Sequence, residues 1–384
     1  MKKTLLIVVV IVVVLIALPL VKFIGWSFQT KKPMNVILVD KTVPSLERLN
    51  HKSFNWVLTN ERFVKKTGNS SYSYKNDYYG FVPTRPLREF GWDKREYRLT
   101  DLKELPANND AVYFTDTYGV FSNDWYKGLN RNRRSRMIYG GLNNTDNLLI
   151  KEMKDNKKLV LLEYNVMDHP TTAYESFRLQ ERLGISVSGW TGKYFHSLDS
   201  TSKNFPIWLT SMYRKSTKKP WTFSKSGVVL LTSKDVIVLE EGTHLKNSLP
   251  EIVTDEENCT KYSLTPRVAF DKWFEIIDPK ANNVLSRFNL STSAEGDTLL
   301  SQHNLSAIFP AVIQEPTEQL TYYFAGDFSN NEVPMWTSRL KNVVKMKFFL
   351  YSDKQDDSRR FFWLYYRPLI GTVLNEYYGA LNGK

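Results

Sequence analysis

One segment constrains this chain more than any other: residues 5–21 are apolar throughout, with Pro19 the only helix-disfavouring residue among them. At 1.5 Å rise per residue, those residues reach roughly 25 Å, slightly short of a hydrocarbon core of ~30 Å. Lys22 can snorkel, so Phe23, Ile24, Gly25 and Trp26 extend the segment, with Trp26 and Phe28 as interfacial aromatics. The pattern predicts one N-terminal transmembrane helix over 5–26, after a short tail (1–4) and before a tether (27–34). A cleaved signal peptide is the competing reading, since Met1-Lys2-Lys3 and an apolar core suit one. Its core is longer than the usual ~7–15 residues, and Gly25-Trp26-Ser27 makes a poor cleavage site. Lysines flank both ends, so charge barely discriminates orientation. The short tail favours a cytoplasmic N-terminus and an extracytoplasmic body, a single-pass protein of the cell membrane.

Residues 35–384 then form the body, with a subdivision near 200–225 left open. The 42% hydrophobic content suffices for a core, and no repeat or long linker is visible. The single cysteine, Cys259, excludes an internal disulfide. Net charge is +12, and Lys127, Arg131, Arg133, Arg134 and Arg136 concentrate part of it. That cluster is either a solvated loop or a contact for anionic headgroups, a polyanionic glycan or a phosphate-bearing ligand. Nucleic acid is disfavoured by the anchor. The five histidines show no zinc spacing, and the chain has no P-loop, no G-x-G-x-x-G after a strand and no G-x-S-x-G. No metal or cofactor is expected.

Apolar runs at 35–39, 111–114 and 159–162 read as strands ending near Asp40, Asp116 and Glu163, with helices over 45–58, opened by Asn144 or Thr145, and from Thr171 or Thr172 to Leu183. Strand and helix alternate, as in a parallel sheet with crossover helices. Residues 228–231 and 236–239 read as a hairpin, 268–277 and 320–325 as later strands, and 359–378 as a C-terminal helix. The predicted fold class is α/β: a mostly parallel sheet flanked by helices, with an added antiparallel portion, behind one transmembrane helix.

The order of elements over 35–190, with Gly140-Gly141 before a helix, resembles the class I glutamine amidotransferase-like fold, close in layout to flavodoxin. The resemblance implies a sheet whose carboxyl edge forms a ligand crevice. The turn that would carry that family's nucleophilic cysteine reads Glu163-Tyr164-Asn165-Val166-Met167-Asp168-His169 here, so glutamine hydrolysis by that route is excluded.

Two constellations could carry chemistry. Asn165, His169, Arg178, Glu181, Trp190, Lys193 and Tyr194 offer the carboxylate, guanidinium and aromatic groups of a sugar or phosphosugar site; the plainer reading makes Arg178 a structural bridge and Trp190 a core residue. The strand-end acids Asp40, Asp116, Glu163 and Asp327 could act in pairs as acid and base in glycoside cleavage. The expected function is therefore a membrane-anchored extracytoplasmic ligand-binding or accessory protein of the bacterial cell envelope, connected with surface polysaccharide assembly or export. Its partners would be the membrane and an envelope glycan or a glycosyltransferase or export complex. An anchored glycan hydrolase and a structural partner within a membrane complex are the alternatives.

Overall fold

The computed structural model describes residues 17–85, 89, 91–127, 135–202, 205–247 and 249–383. The first half of the body supplies β1 (Val36–Asp40), followed by α1 (Leu49–Asn60) and β2 (Tyr79–Pro83), then β3 (Trp92–Arg95), an exposed edge strand, and β4 (Ala111–Asp116). Helix α2 (Asn144–Asp155) leads to β5 (Leu159–Glu163), and α3 (Ala173–Leu183) follows. Every residue of β1, β4 and β5 is buried, as the unbroken apolar runs require of strands covered on both sides.

A second group of strands completes the body: β6 (Ser186–Phe195), β7 (Gly227–Leu231), β8 (Val236–Glu240), β9 (Glu251–Thr254), β10 (Arg267–Ala269), β11 (Phe274–Asp278), β12 (Asn283–Asn289), β13 (Ile308–Gln314) and β14 (Thr321–Phe324). Helix α4 (Arg367–Leu381) closes the chain and packs on α1. The large sheet has ten strands in the order β10-β9-β12-β13-β14-β5-β4-β1-β2-β3, and β8-β7-β6-β11 form a second sheet of four.

Here the expectation of a mostly parallel sheet is corrected. Only β14, β5, β4, β1 and β2 run parallel to their neighbours within that set; the pairings from β10 to β14, the β2–β3 pairing and the whole second sheet are antiparallel. Part of the reason is connection length. The links at 232–235 and 315–320 fall short of the dozen or so residues that a parallel crossover needs, so β7–β8 and β13–β14 must be hairpins. The run read as one strand over 268–277 is two, β10 and β11, belonging to different sheets.

The single-pass anchor is corrected as well. Among the described residues no helix is long and apolar enough to cross a membrane; residues 5–16 of the expected span lie outside the described set. Residues 17–27 are helical and dock on the body at their end. Trp26, expected at an interface, is buried: its Nε1 donates to the Thr59 carbonyl at 3.1 Å and the Arg62 guanidinium lies 4.3 Å from its ring. Lys22 Nζ donates to the carbonyls of Lys341 and Asn342 at 3.3 and 3.2 Å. Phe28 is exposed.

Helix α2 opens at Asn144, as its sequence suggests, and Asn143 caps it. The Asn143 side chain accepts from the Asp146 amide at 3.0 Å, and Asp146 Oδ2 accepts from the Asn143 amide at 2.8 Å. Asn143→Ala is expected to cost about 1 kcal/mol, read as a lower midpoint in urea unfolding; an unchanged midpoint would remove the cap from the account.

Candidate functional site

Strand β1 sends its chain toward β2, while its neighbour β4 sends its own the other way, toward β5. Right-handed crossovers in opposite directions place α1 and α2 on opposite faces and leave a crevice between the carboxyl ends of β1 and β4. Asp40 and Asp116 end those two strands.

Asp40 is fully enclosed and bound to His51, Nδ1 to Oδ2 at 2.5 Å. His51 Nε2 faces the Tyr74 carbonyl at 2.7 Å. A carbonyl only accepts, so Nε2 carries hydrogen and a single further proton lies between the imidazole and Asp40. Thr42 joins the two strand ends: its amide donates to Asp40 Oδ1 at 2.9 Å and its hydroxyl to Asp116 Oδ1 at 2.8 Å. Asp116 Oδ1 also accepts from the Tyr118 backbone amide at 2.6 Å, whereas among the described residues Oδ2 has only the Asn50 side chain, through Nδ2 at 3.3 Å. Burial, followed by the nearby charges of Asp327 and Asp40, pushes the Asp116 carboxyl well above the usual range. Gly119, at φ 95, lets this turn press against 139–140, where a Cβ would meet the Tyr139 carbonyl at 2.2 Å.

Glu163 is enclosed too. Its Oε1 accepts from the Tyr113 hydroxyl, and its Oε2 accepts at 3.0 Å from the Phe328 amide, the Ser329 amide and the Ser329 hydroxyl. Burial raises its pKa against the pull of the Tyr113 and Ser329 donors. Asp327 is half-buried and accepts from Asn330 Nδ2 at 2.9 Å.

On the α2 side of the switch point Lys41 turns into a small recess. Lys41 Nζ pairs with Asp146 Oδ2 at 2.6 Å and donates to the Gly141 carbonyl at 2.9 Å, both side chains being nearly sealed from solvent. Tyr97 donates to Asp146 Oδ1 at 2.5 Å. The recess above this pair holds about 120 Å³, walled by Tyr79, Tyr97 and Tyr139 and rimmed by Arg95, Glu96 and Thr145. Burial, with Glu96 and Asp146 close by, raises the Tyr139 phenol, and burial with Asp146 raises that of Tyr97, so these two rings face the recess as neutral hydroxyls.

The other sequence-derived residues do not converge on one crevice. Asn165 sits at φ 72 in the turn after β5, and its carbonyl accepts from the Thr117 hydroxyl at 3.0 Å. His169 is exposed. Arg178 binds Asn144 Oδ1 at 2.7 Å and Glu175 at 3.2 Å, and Glu181 is exposed on the same helix. Trp190 and Tyr194 are buried, edge-on to His303 and His196. Lys193, adjacent in the strand and so on its opposite face, lies 5.6 Å from the Trp273 ring. Lys127 and Arg136 are exposed; Arg131, Arg133 and Arg134 lie outside the described residues. Among the described residues no group of three or more His, Cys, Asp or Glu is arranged to hold a metal ion.

No family, curated protein or solved structure matches this chain.

Sequence reasoning missed Lys41, His51, Tyr97, Tyr139 and Asp146. One signal was available: the capping box of α2 after Gly140-Gly141 marks Asp146 as a carboxylate held at the sheet's carboxyl edge.

Proposed function

We propose that this chain is a binding protein for a polyhydroxylated ligand of the saccharide class, held in the recess beside the β1–β4 switch point. The observation that carries the reading is the floor and walls of that recess: a sealed Lys41–Asp146 pair beneath three tyrosines. Ring hydroxyls of a sugar need donors and acceptors side by side, and its apolar faces suit aromatic walls. The link to surface polysaccharide rests on this recess together with the aromatic content. Binding to a saccharide array by the full chain is the test. Glu96→Ala and Thr145→Val, both on the rim, are each expected to weaken binding about tenfold, the effect of one hydrogen bond. An array without a hit, or affinities unmoved by both changes, would reject the reading.

A second reading, saccharide hydrolysis, is favoured by one feature. Burial pushes the Asp116 carboxyl well above the usual carboxylate range, toward the protonated form an acid catalyst needs, and its Oδ2 takes one long hydrogen bond, from Asn50 Nδ2 at 3.3 Å. In that case wild-type protein releases reducing ends from the bound saccharide and Asp116→Asn does so at least about a hundredfold more slowly. Binding without release leaves the first reading alone.

A further inference from the structure

A second, larger cavity lies at the carboxyl end of α1, about 670 Å³ in volume, between the segment at 28–32, the turn at 341–345 and the start of α4. Four cations line it, Lys32, Lys341, Lys345 and Arg367, against one carboxylate, Glu61. That carboxylate is already engaged: Glu61 Oε2 is 3.4 Å from Lys32 Nζ and accepts from Asn375 Nδ2 at 3.0 Å. Lys32 in turn donates to Asn375 Oδ1 at 2.5 Å. Arg367 is left without such a partner. Its Nε is buried with no hydrogen bond, and so is the Oε1 of Gln29 on the facing segment. Burial pulls the guanidinium's pKa down, and Glu61 only partly offsets it.

A half-buried guanidinium whose Nε is sealed from water without a hydrogen-bonded anion costs stability, and its planar fork fits an oxyanion in two-point contact. Two further lysines at the rim suit a doubly charged group. The unpartnered Gln29 oxygen calls for a hydroxyl donor, which a hydrogen phosphate or the alcohol of a phosphate ester supplies. We propose that this cavity is a phosphate-binding site, independent of the saccharide recess, built around Arg367 and Gln29.

The test is calorimetric titration of the full chain with inorganic phosphate and with glycerol phosphate at low ionic strength. Saturable binding is expected, weakened at least about tenfold by Arg367→Gln and about threefold by Lys345→Gln. Lys345 is exposed, so its variant keeps the fold even where the Arg367 variant does not. Lys215→Gln, on the distant helix Trp208–Thr217, serves as the control and is expected to bind as wild type does. Flotation with phosphatidylglycerol and phosphatidylcholine vesicles separates the sources of the phosphate. Displacement from phosphatidylglycerol by free phosphate means that a soluble ester suffices. Retention that Lys345→Gln weakens but free phosphate does not means a lipid headgroup. Response to neither probe, or equal affinities for wild type and both cavity variants, overturns the site.

Discussion

Replacing Glu163 by alanine is expected to destabilise the fold by roughly 3–5 kcal/mol, the usual penalty for stranding several buried donors at once. Four donors converge on this carboxyl from two parts of the chain: the Tyr113 hydroxyl on β4, and the Phe328 amide, Ser329 amide and Ser329 hydroxyl beyond β14. Alanine leaves the two amides enclosed and unpaired, while the Ser329 hydroxyl keeps the Asn50 carbonyl at 2.5 Å and the Tyr113 hydroxyl keeps Tyr366 Oη at 3.2 Å. Glutamine keeps one accepting oxygen but turns an NH₂ toward some of these donors, so Glu163→Gln should fall between alanine and wild type. Urea unfolding of the three proteins measures the series. A Glu163→Ala midpoint equal to that of wild type would show that the clasp contributes nothing.

Glu275→Gln is expected to stabilise the protein in mild alkali while leaving it unchanged in acid. Glu275 lies on β11, almost wholly enclosed, and takes the Tyr323 hydroxyl on Oε1. Burial first, and the charge of Asp168 second, push its pKa up to about 8. The folded state therefore prefers the protonated acid. That preference contributes fully below about pH 4.5, the ordinary carboxyl value, and is lost progressively as pH rises through about 8. The full span corresponds to roughly 4–5 kcal/mol. Glutamine mimics the protonated form at every pH, so the two stability curves should coincide near pH 4.5 and separate toward pH 8, the variant above. Parallel curves across that range would refute the assignment. Comparing wild type with variant cancels the other titrating groups.

Local chemistry made part of this architecture readable. The apolar runs of β1, β4 and β5 are legible because strands covered on both faces need no polar alternation. Helix α3 begins after the Thr172 cap and ends at Gly184 in the left-handed conformation, both visible as residue types. The hairpin of β7 and β8 follows from its four-residue link. Pairing between remote segments was not readable. The stretch at 290–307 carries a helix, Ala294–Ser301, and so has the look of a parallel crossover, yet it returns β13 antiparallel to β12. The strand-end acids were legible as a group, and Asp116 does feel both Asp40 and Asp327. Their burial was not legible, because the groups that enclose them come from elsewhere: His51 from α1, Tyr113 from a neighbouring strand, Ser329 from a late turn. The recess escaped notice for the same reason, its walls being drawn from β2, β3, α2 and the strand Met137–Tyr139.

The placement of β5 has a consequence for synthesis on the ribosome. One of its edges pairs with β4, made just before it, but the other waits for β14, whose residues Thr321–Phe324 pair with 160–163. At 5–20 residues per second the wait is roughly 8–30 s. Throughout it, a strand of five apolar or enclosed residues presents an open row of backbone donors and acceptors, a template for any passing chain. Nascent chains should therefore depend on chaperones until residue 324 has emerged. Fragments ending between β5 and β14 should aggregate, however well their first strands and helices form.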